Sequence, residues 1–138
     1  MSVSESEVAC VFVYGTLKRG QCRESAWPVR PLDVIDGWVL GNLWGRRDYP
    51  ALLAGENRVQ GQLWMFETSQ IADVLVVLDE IEETDGNAPT DLYHRHLIEV
   101  NLQGGQGVRK AHAYFYNRDP VVDGFKQVPQ VGQYQKWP

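Results

Sequence analysis

The pattern of apolar and polar residues divides the chain into short strands and one helix. Runs rich in β-branched and aromatic residues, each ending near glycine or proline, predict β-strands. The predicted strands cover residues 8–14, 32–43, 59–66, 93–102 and 108–116. Because the last two flank a glycine-rich turn at 104–107, they are predicted to pair as a β-hairpin.

One segment has the period of an amphipathic α-helix, with apolar residues three and four positions apart. Its apolar residues are Ile71, Val74, Leu75, Leu78 and Ile81. Thr68 or Ser69 is a suitable N-cap residue, because a hydroxyl can accept a hydrogen bond from the first helical turn. Gly86 and Pro89 end the predicted helix and leave a loop through Thr90.

The order of the predicted elements is strands, one helix and then strands again. Consecutive antiparallel strands with one helix to cover a face predict the α+β class, with a curved sheet or a small open barrel. The 138 residues are enough for one domain and too few for two. We therefore expect a single domain over 1–138, in which 1–7 are flexible and 117–138 form a loop-like tail.

The charge balance and the cysteine count exclude several classes of protein. The chain has 18 acidic and 13 basic residues, a net charge of −5 with neutral histidines, and no basic block. A protein that binds nucleic acid needs a basic face, so we expect no such partner. No stretch approaches the roughly 20 apolar residues that span a bilayer, and no membrane partner is expected. Cys10 and Cys22 are too few for a disulfide framework, which favours a cytoplasmic protein.

Glu82 lies in line with the apolar face of the predicted helix. On a wheel at about 100° per residue it falls between Leu75 and Leu78, whereas Glu80 and Asp73 fall on the opposite side. A carboxylate held against apolar side chains is disfavoured in its charged form, so its pKa rises toward neutrality. That property suits a general base that later acts as a general acid. The alternative is that the helix frays before Glu82 and leaves its side chain in solvent.

The segment after the first predicted strand reads Tyr14-Gly15-Thr16-Leu17-Lys18-Arg19-Gly20. Gly15 and Gly20 have the spacing of a phosphate-binding loop, but Gln21 and Cys22 stand where lysine and serine or threonine are needed, so that interpretation fails. A strand that stops at glycine can turn sharply and present backbone N–H groups to a carboxylate or an oxyanion. An ordinary strand-ending turn is the alternative.

The three histidines offer a different kind of site. His94 and His96 point to one face of a predicted strand. If the hairpin pairs Leu102 with Val108, His112 falls on the same face, and three imidazoles can bind zinc and activate water. A shift of one residue in the register moves His112 to the other face.

Five short motifs follow one another from Val11 to about Tyr116. They are VFVYGTLKRG at 11–20, YPAL at 49–52, VQGQLW at 59–64, LDEIE at 78–82 and YHR at 93–95. In this order they resemble the γ-glutamylcyclotransferase-like family, which includes the γ-glutamylamine cyclotransferases. The YGTL signature together with the spaced LDxxE and YxR pieces makes the resemblance specific.

The resemblance implies a fold and a site. The fold is a small, closed or nearly closed, mixed or antiparallel β-barrel with one main helix and a cavity at one rim. The loop that corresponds to Tyr14, Gly15, Thr16 and Leu17 holds the γ-glutamyl part of the substrate through backbone groups. Glu82 corresponds to the acid/base glutamate of the family, and Tyr93 matches a tyrosine beside the pocket.

The resemblance also implies a reaction, the release of 5-oxoproline from a γ-glutamyl amine or amino-acid conjugate by attack of the substrate's own α-amine. The expected partner is this small-molecule substrate, and no metal or organic cofactor is required. The family often has glycine directly after the catalytic glutamate, where this chain has Glu83. Two alternatives stay open, a non-catalytic binder of a small carboxylated metabolite in the same cavity and a zinc hydrolase that uses His94, His96 and His112.

Overall fold

The computed structural model describes residues 8–137, so the segment 1–7, expected to be flexible, lies outside the described residues. Within that range the chain forms seven β-strands and one α-helix. They are β1 (Cys10–Val13), β2 (Asp33–Gly45), β3 (Pro50–Met65), α1 (Ile71–Ile81), β4 (Tyr93–Leu102), β5 (Val108–Tyr116), β6 (Lys126–Gln127) and β7 (Tyr134–Gln135). None of the helices in residues 8–137 has the length and apolar character needed to cross a bilayer.

Five of the strands close into a barrel. Their order around it is β2, β4, β5, β1 and β3, and β3 pairs back with β2 to complete the ring. Most neighbours are antiparallel, but β1 runs parallel to β5, with Val11 opposite His112. The α+β class and the mixed β-barrel with one main helix are therefore confirmed, and the barrel is closed rather than open.

Side chains of the barrel strands pack into two cores. One fills the barrel interior, where Phe12, Leu52 and Leu63 are fully buried. The other lies between the outer surface of the barrel and α1, where Val74 and Leu78 are fully buried. Because neighbouring residues of a strand point to opposite faces, β1 contributes to both cores. This double burial explains why the whole of β1 is apolar.

The helix has the predicted apolar face but a different beginning. The residue before it is Gln70, and no side chain caps its first turn, so the prediction of an N-cap at Thr68 or Ser69 was wrong. A hydrogen bond of 2.9 Å from the Gln70 N–H to the Glu67 carbonyl closes a turn over these residues. That turn leaves the two hydroxyl residues ahead of the N-cap position.

The third strand is longer than the predicted strand 59–66, because the segment before it continues the hairpin with β2. Ala51 and Leu52 are fully buried and pair with the end of β2. The pairing shifts register between Gly41 and Asn42, where residues 54–56 have no partner in the ladder. This bulge interrupts the alternation of apolar and polar residues, and the strand pattern is lost there.

Two short strands lie in the tail 117–138, which the pattern predicts as loop-like. β6 pairs with the end of β2, and β7 runs parallel to β3 at Arg58 and Val59. Gln135 of β7 is fully buried, and its Oε1 accepts a 2.8 Å hydrogen bond from the Leu43 N–H while its Nε2 donates one of 2.6 Å to the Val128 carbonyl. Polar contacts therefore help to hold the tail on the barrel, together with the buried Phe125. Such polar contacts leave no apolar pattern in the sequence.

Candidate active site

A cavity opens at the rim of the barrel, where the residues after β1, the end of α1 and the start of β4 meet. Its volume of about 90 Å³ is several times the roughly 10–15 Å³ that a single water needs, so it accommodates a group of several heavy atoms. All six residues predicted for the site line this cavity. They are Tyr14, Gly15, Thr16, Leu17, Glu82 and Tyr93.

Glu82 is the C-cap residue of α1 and is half-buried. Its N–H donates a 2.9 Å hydrogen bond to the Leu78 carbonyl, so the helix does not fray before it. Burial raises the pKa of its carboxyl from 4.5 to about 7. The positive charge of Arg23 lowers this pKa in part, and the negative charge of Glu83 adds a smaller rise. No hydrogen bond within residues 8–137 engages this carboxyl, which leaves both of its oxygens to a ligand.

The backbone leaves α1 through a Schellman motif. The Thr84 N–H donates a 3.0 Å hydrogen bond to the Asp79 carbonyl, and the Glu83 N–H donates one of 3.3 Å to the Glu80 carbonyl. Glu83 has a φ of 54°, in the left-handed region where glycine is most favourable. This geometry fixes the direction in which the chain leaves Glu82, and it is strained at a residue other than glycine.

The loop after β1 is closed by two backbone hydrogen bonds. The Lys18 N–H donates to the Gly15 carbonyl over 3.0 Å, and the Arg23 N–H donates to the Thr16 carbonyl over 2.8 Å. Within residues 8–137 the N–H groups of residues 15–17 have no acceptor of their own. The residues that carry these three donors line the same cavity as Glu82. An anionic oxygen in the cavity can therefore accept hydrogen bonds from them.

Gly15 is required by the close approach of a neighbouring segment. A Cβ at this position would overlap the ring of Pro50, which forms another part of the cavity wall. Glycine therefore lets the loop pass against Pro50 and keeps the wall of the cavity in place.

Two buried tyrosines hold the walls of the cavity together. The Tyr93 hydroxyl donates a 2.8 Å hydrogen bond to the Pro50 carbonyl, and the Tyr14 hydroxyl donates one of 2.6 Å to the Tyr114 carbonyl. Burial raises the pKa of both hydroxyls, so they stay protonated in neutral solution. Since each hydroxyl proton is donated to a backbone carbonyl of the protein, these two hydroxyls can only accept a hydrogen bond from a ligand.

The cavity also includes residues that the sequence analysis did not assign to it. Arg23 and Tyr49 both line it. Tyr49 belongs to the YPAL motif, which was a usable signal. Arg23 stands in an irregular loop without periodicity, and a hydrogen bond from its N–H to the Thr16 carbonyl holds it beside the cavity.

The histidines do not form the metal site that was considered. In the hairpin of β4 and β5, His112 lies opposite Leu97, and His96 lies opposite Ala113. This register differs by one residue from the assumed pairing of Leu102 with Val108. His112 therefore lies on the opposite face of the hairpin from His94 and His96. The His112 Nε2 lies 3.0 Å from the Val8 carbonyl, and the His94 Nε2 lies 2.8 Å from the Ala88 carbonyl. Residues 8–137 contain no group of three or more histidine, cysteine, aspartate or glutamate side chains arranged to hold a metal ion.

The comparison with protein families gives a clear result. The model of the family described as "Gamma-glutamyl cyclotransferase, AIG2-like" matches residues 11–136. The chain belongs to this family. Its members are generally cyclotransferases, and they act on small γ-glutamyl substrates. No curated protein matches the chain.

Solved structures share the fold. An AIG2-like protein from Mus musculus is 21% identical with a TM-score of 0.62, and the match covers 96% of this chain and 97% of that chain. A protein from Arabidopsis thaliana with a solution structure is 21% identical with a TM-score of 0.63, over 90% of this chain and 72% of that chain. YkqA from Bacillus subtilis is 20% identical with a TM-score of 0.59, and the match covers 79% of this chain and 36% of YkqA. This chain thus spans about a third of the length of YkqA.

Proposed function

We propose that the chain is a γ-glutamyl cyclotransferase that releases 5-oxoproline from a γ-glutamyl amine or a γ-glutamyl amino acid. One observation supports this proposal above the others. The Glu82 carboxyl, whose pKa burial raises to about 7, shares a small cavity with the unpaired N–H groups of residues 15–17. The cavity therefore combines an acid/base group with donors for an anionic oxygen.

The reaction joins two atoms of the same substrate molecule. The α-amino nitrogen attacks the γ-carbonyl carbon, a new C–N bond closes the five-membered ring, and the C–N bond to the leaving amine breaks. Because both reacting atoms belong to one substrate, the protein needs only to hold the folded conformer. The small cavity favours that compact conformer over the extended one.

Glu82 moves the protons in this scheme. Its carboxylate takes a proton from the α-ammonium group, which makes the nitrogen nucleophilic, and returns that proton to the leaving nitrogen as the C–N bond breaks. The ring nitrogen gives up its second proton by the same route, so that the amine leaves as an ammonium ion and the carboxylate is restored. A carboxyl with a pKa of about 7 is present in both forms near neutral pH, so it serves as base and as acid in turn. The absence of a hydrogen bond to this carboxyl within residues 8–137 leaves it available for both transfers.

The N–H groups of Gly15, Thr16 and Leu17 bind negative charge on the substrate. Their acceptor is either the γ-carbonyl oxygen, which becomes anionic as the amine adds, or the α-carboxylate of the glutamyl group. In both arrangements the loop holds the glutamyl part of the substrate. The leaving amine then extends toward the mouth of the cavity.

A product assay tests the proposal. The purified protein is incubated with a panel of γ-glutamyl amines and γ-glutamyl amino acids, and 5-oxoproline, free glutamate and the released amine are quantified. We expect 5-oxoproline and the amine in equal amounts. Free glutamate in place of 5-oxoproline would show hydrolysis and overturn the proposal. Calorimetric binding of 5-oxoproline without turnover of any substrate would instead support a non-catalytic binder of carboxylated metabolites.

A further inference from the structure

We infer that Arg23 binds a carboxylate on the leaving group, so that the preferred substrates are γ-glutamyl amino acids rather than uncharged γ-glutamyl amines. This inference rests on the proposed function and adds a specificity-determining residue to it. It concerns the mouth of the cavity, whereas the proposed chemistry concerns Glu82 and the loop 15–17.

The position of Arg23 is fixed by the loop that carries it. Its N–H donates a 2.8 Å hydrogen bond to the carbonyl of Thr16, one of the residues whose N–H groups are proposed to bind the glutamyl part of the substrate. The residue lines the cavity and is exposed to solvent. Arg23 therefore stands at the boundary between the cavity and the solvent, beside the residues proposed to hold the glutamyl group.

The guanidinium of Arg23 is held by no close ion pair or side-chain hydrogen bond in the described part of the chain, although its charge is near enough to lower the pKa of Glu82. By contrast, the guanidinium of Arg46 pairs with Asp48, and that of Arg95 lies 3.5 Å from a carboxylate oxygen of Asp79. A guanidinium presents several donors in a planar fork that matches a carboxylate, so an anionic group at the mouth can bind to Arg23.

The leaving group is the part of the substrate that reaches this position. The glutamyl carbons must lie against the loop 15–17 and within reach of Glu82, because proton transfer takes place there. The substituent on the leaving nitrogen has to point out of the cavity, toward the exposed Arg23. When the leaving group is an amino acid, its carboxylate carbon lies two bonds from the leaving nitrogen. The carboxylate is then close enough to the mouth of the cavity to bind to the exposed Arg23.

Arg23 shares the cavity with acidic residues, which disfavour an anionic leaving group. Glu82 and Glu83 also line the cavity, and both are acidic. Without Arg23 they would repel an anionic leaving group. The arginine therefore determines whether a substrate with a carboxylate on its leaving group is favoured or disfavoured.

The test compares two substrates of nearly the same shape, γ-glutamylglycine and γ-glutamylglycinamide. The leaving group ends in a carboxylate in the first and in an uncharged carboxamide in the second. We expect the wild-type protein to favour γ-glutamylglycine in kcat/KM by about tenfold, the effect of one charge-assisted hydrogen bond. In Arg23→Gln the preference should disappear or invert, and Arg23→Lys should retain part of it. Arg30→Gln is the matched control, because Arg30 is exposed and does not line the cavity.

The outcomes separate the inference from the proposed function. An equal loss of kcat/KM for both substrates in Arg23→Gln would show that Arg23 acts on the glutamyl group or on Glu82, whose pKa its charge lowers, and not on the leaving group. Unchanged kcat/KM values for both substrates would show that Arg23 acts on neither part of the substrate. Both results overturn the inference and leave the cyclotransferase proposal standing. Failure of the wild-type protein to release 5-oxoproline from either substrate would overturn both.

Discussion

The hydroxyl of Tyr114 donates a 2.6 Å hydrogen bond to the carboxylate of Asp79, which lies two residues before the end of α1. The other carboxylate oxygen of Asp79 lies 3.5 Å from the guanidinium of Arg95. Asp79 thus attaches α1 to two neighbouring barrel strands, β4 and β5. Because Glu82 is only three residues further along, these contacts determine where its carboxyl lies relative to the cavity.

The substitution Tyr114→Phe tests this attachment. It removes one partly buried hydrogen bond to a charged acceptor, so we expect the free energy of unfolding to fall by about 1–2 kcal/mol. The rate of 5-oxoproline release should fall as well, since the end of α1 is less firmly held. Tyr134→Phe is the control, because the Tyr134 hydroxyl makes no hydrogen bond within residues 8–137. Equal stability of the two variants in urea would contradict this role of Asp79.

Glu83 provides a second prediction, which depends on the backbone alone. The residue occupies the left-handed position of a Schellman motif, with a φ of 54°. Glycine adopts that conformation without steric cost, so Glu83→Gly should raise the free energy of unfolding by about 1 kcal/mol. Glu83→Ala removes the same side chain but keeps a Cβ, and it should give no such gain. Urea denaturation of both variants measures their free energies of unfolding. A larger increase in Glu83→Ala than in Glu83→Gly would refute the conformational explanation.

The backbone at Glu83 has the conformation that glycine favours, and glycine is the residue that the resemblance leads us to expect there. The family often has glycine directly after the catalytic glutamate. The path of the chain after Glu82 is therefore one that glycine adopts without steric cost. The added side chain is exposed, and its charge contributes to the raised pKa of Glu82.

The raised pKa of Glu82 predicts how stability depends on pH. Its pKa is 4.5 without the environment of the fold and about 7 in the folded protein, so the folded state retains a proton that the unfolded state loses. The stability that this provides is complete below pH 4.5 and is lost as the pH rises through about 7. Glu82→Gln, which cannot ionise, should match the wild type at low pH and exceed it at pH 8 by roughly 1–3 kcal/mol.

Urea titrations across this pH range measure the difference between the two proteins. Glu80→Gln makes the same chemical change at an exposed position of the same helix, and its stability should follow that of the wild type. If Glu82→Gln shows the same difference from the wild type at every pH, the pKa of Glu82 is not raised.

The rate of the reaction should follow the same ionisation. The base must be ionised to accept a proton, so kcat/KM should rise with pH along a limb centred near 7, the pKa of Glu82 in the free enzyme. Glu83→Gln removes a charge that raises this pKa, so the limb should move to lower pH. The profile of kcat/KM against pH for both proteins gives the measurement. A limb that stays in place would show that another group controls the rate.

Periodicity was sufficient to find Glu82, because the line of Leu75 and Leu78 determines which side of α1 packs on the barrel. Strand register has no comparable signal. A shift of a single residue in the hairpin of β4 and β5 places His112 away from His94 and His96, and the residue pattern is compatible with both registers. The apolar runs were therefore predictable as strands, whereas the face of the sheet on which individual polar side chains lie was not.

Polar residues held by tertiary contacts were also beyond the reach of the pattern. Gln135 is buried through hydrogen bonds to the backbone of β2 and of the tail, and a glutamine in a loop-like segment gives no indication of burial. Arg23 reaches the cavity through a backbone hydrogen bond within an irregular loop. The position of Gln135 depends on the barrel strand that it contacts, and that of Arg23 depends on the fold of its own loop. The pattern of apolar and polar residues describes neither.

The rate of 5-oxoproline release by Glu82→Gln, measured beside Glu80→Gln, tests most directly whether Glu82 is the acid/base group. Both variants lose one carboxylate from the same helix, but Glu82 lines the cavity and Glu80 is exposed. We predict that Glu82→Gln lowers kcat by at least about 100-fold, the usual contribution of general acid–base catalysis, and that Glu80→Gln keeps the wild-type rate. A folded Glu82→Gln protein with the wild-type rate would contradict the account.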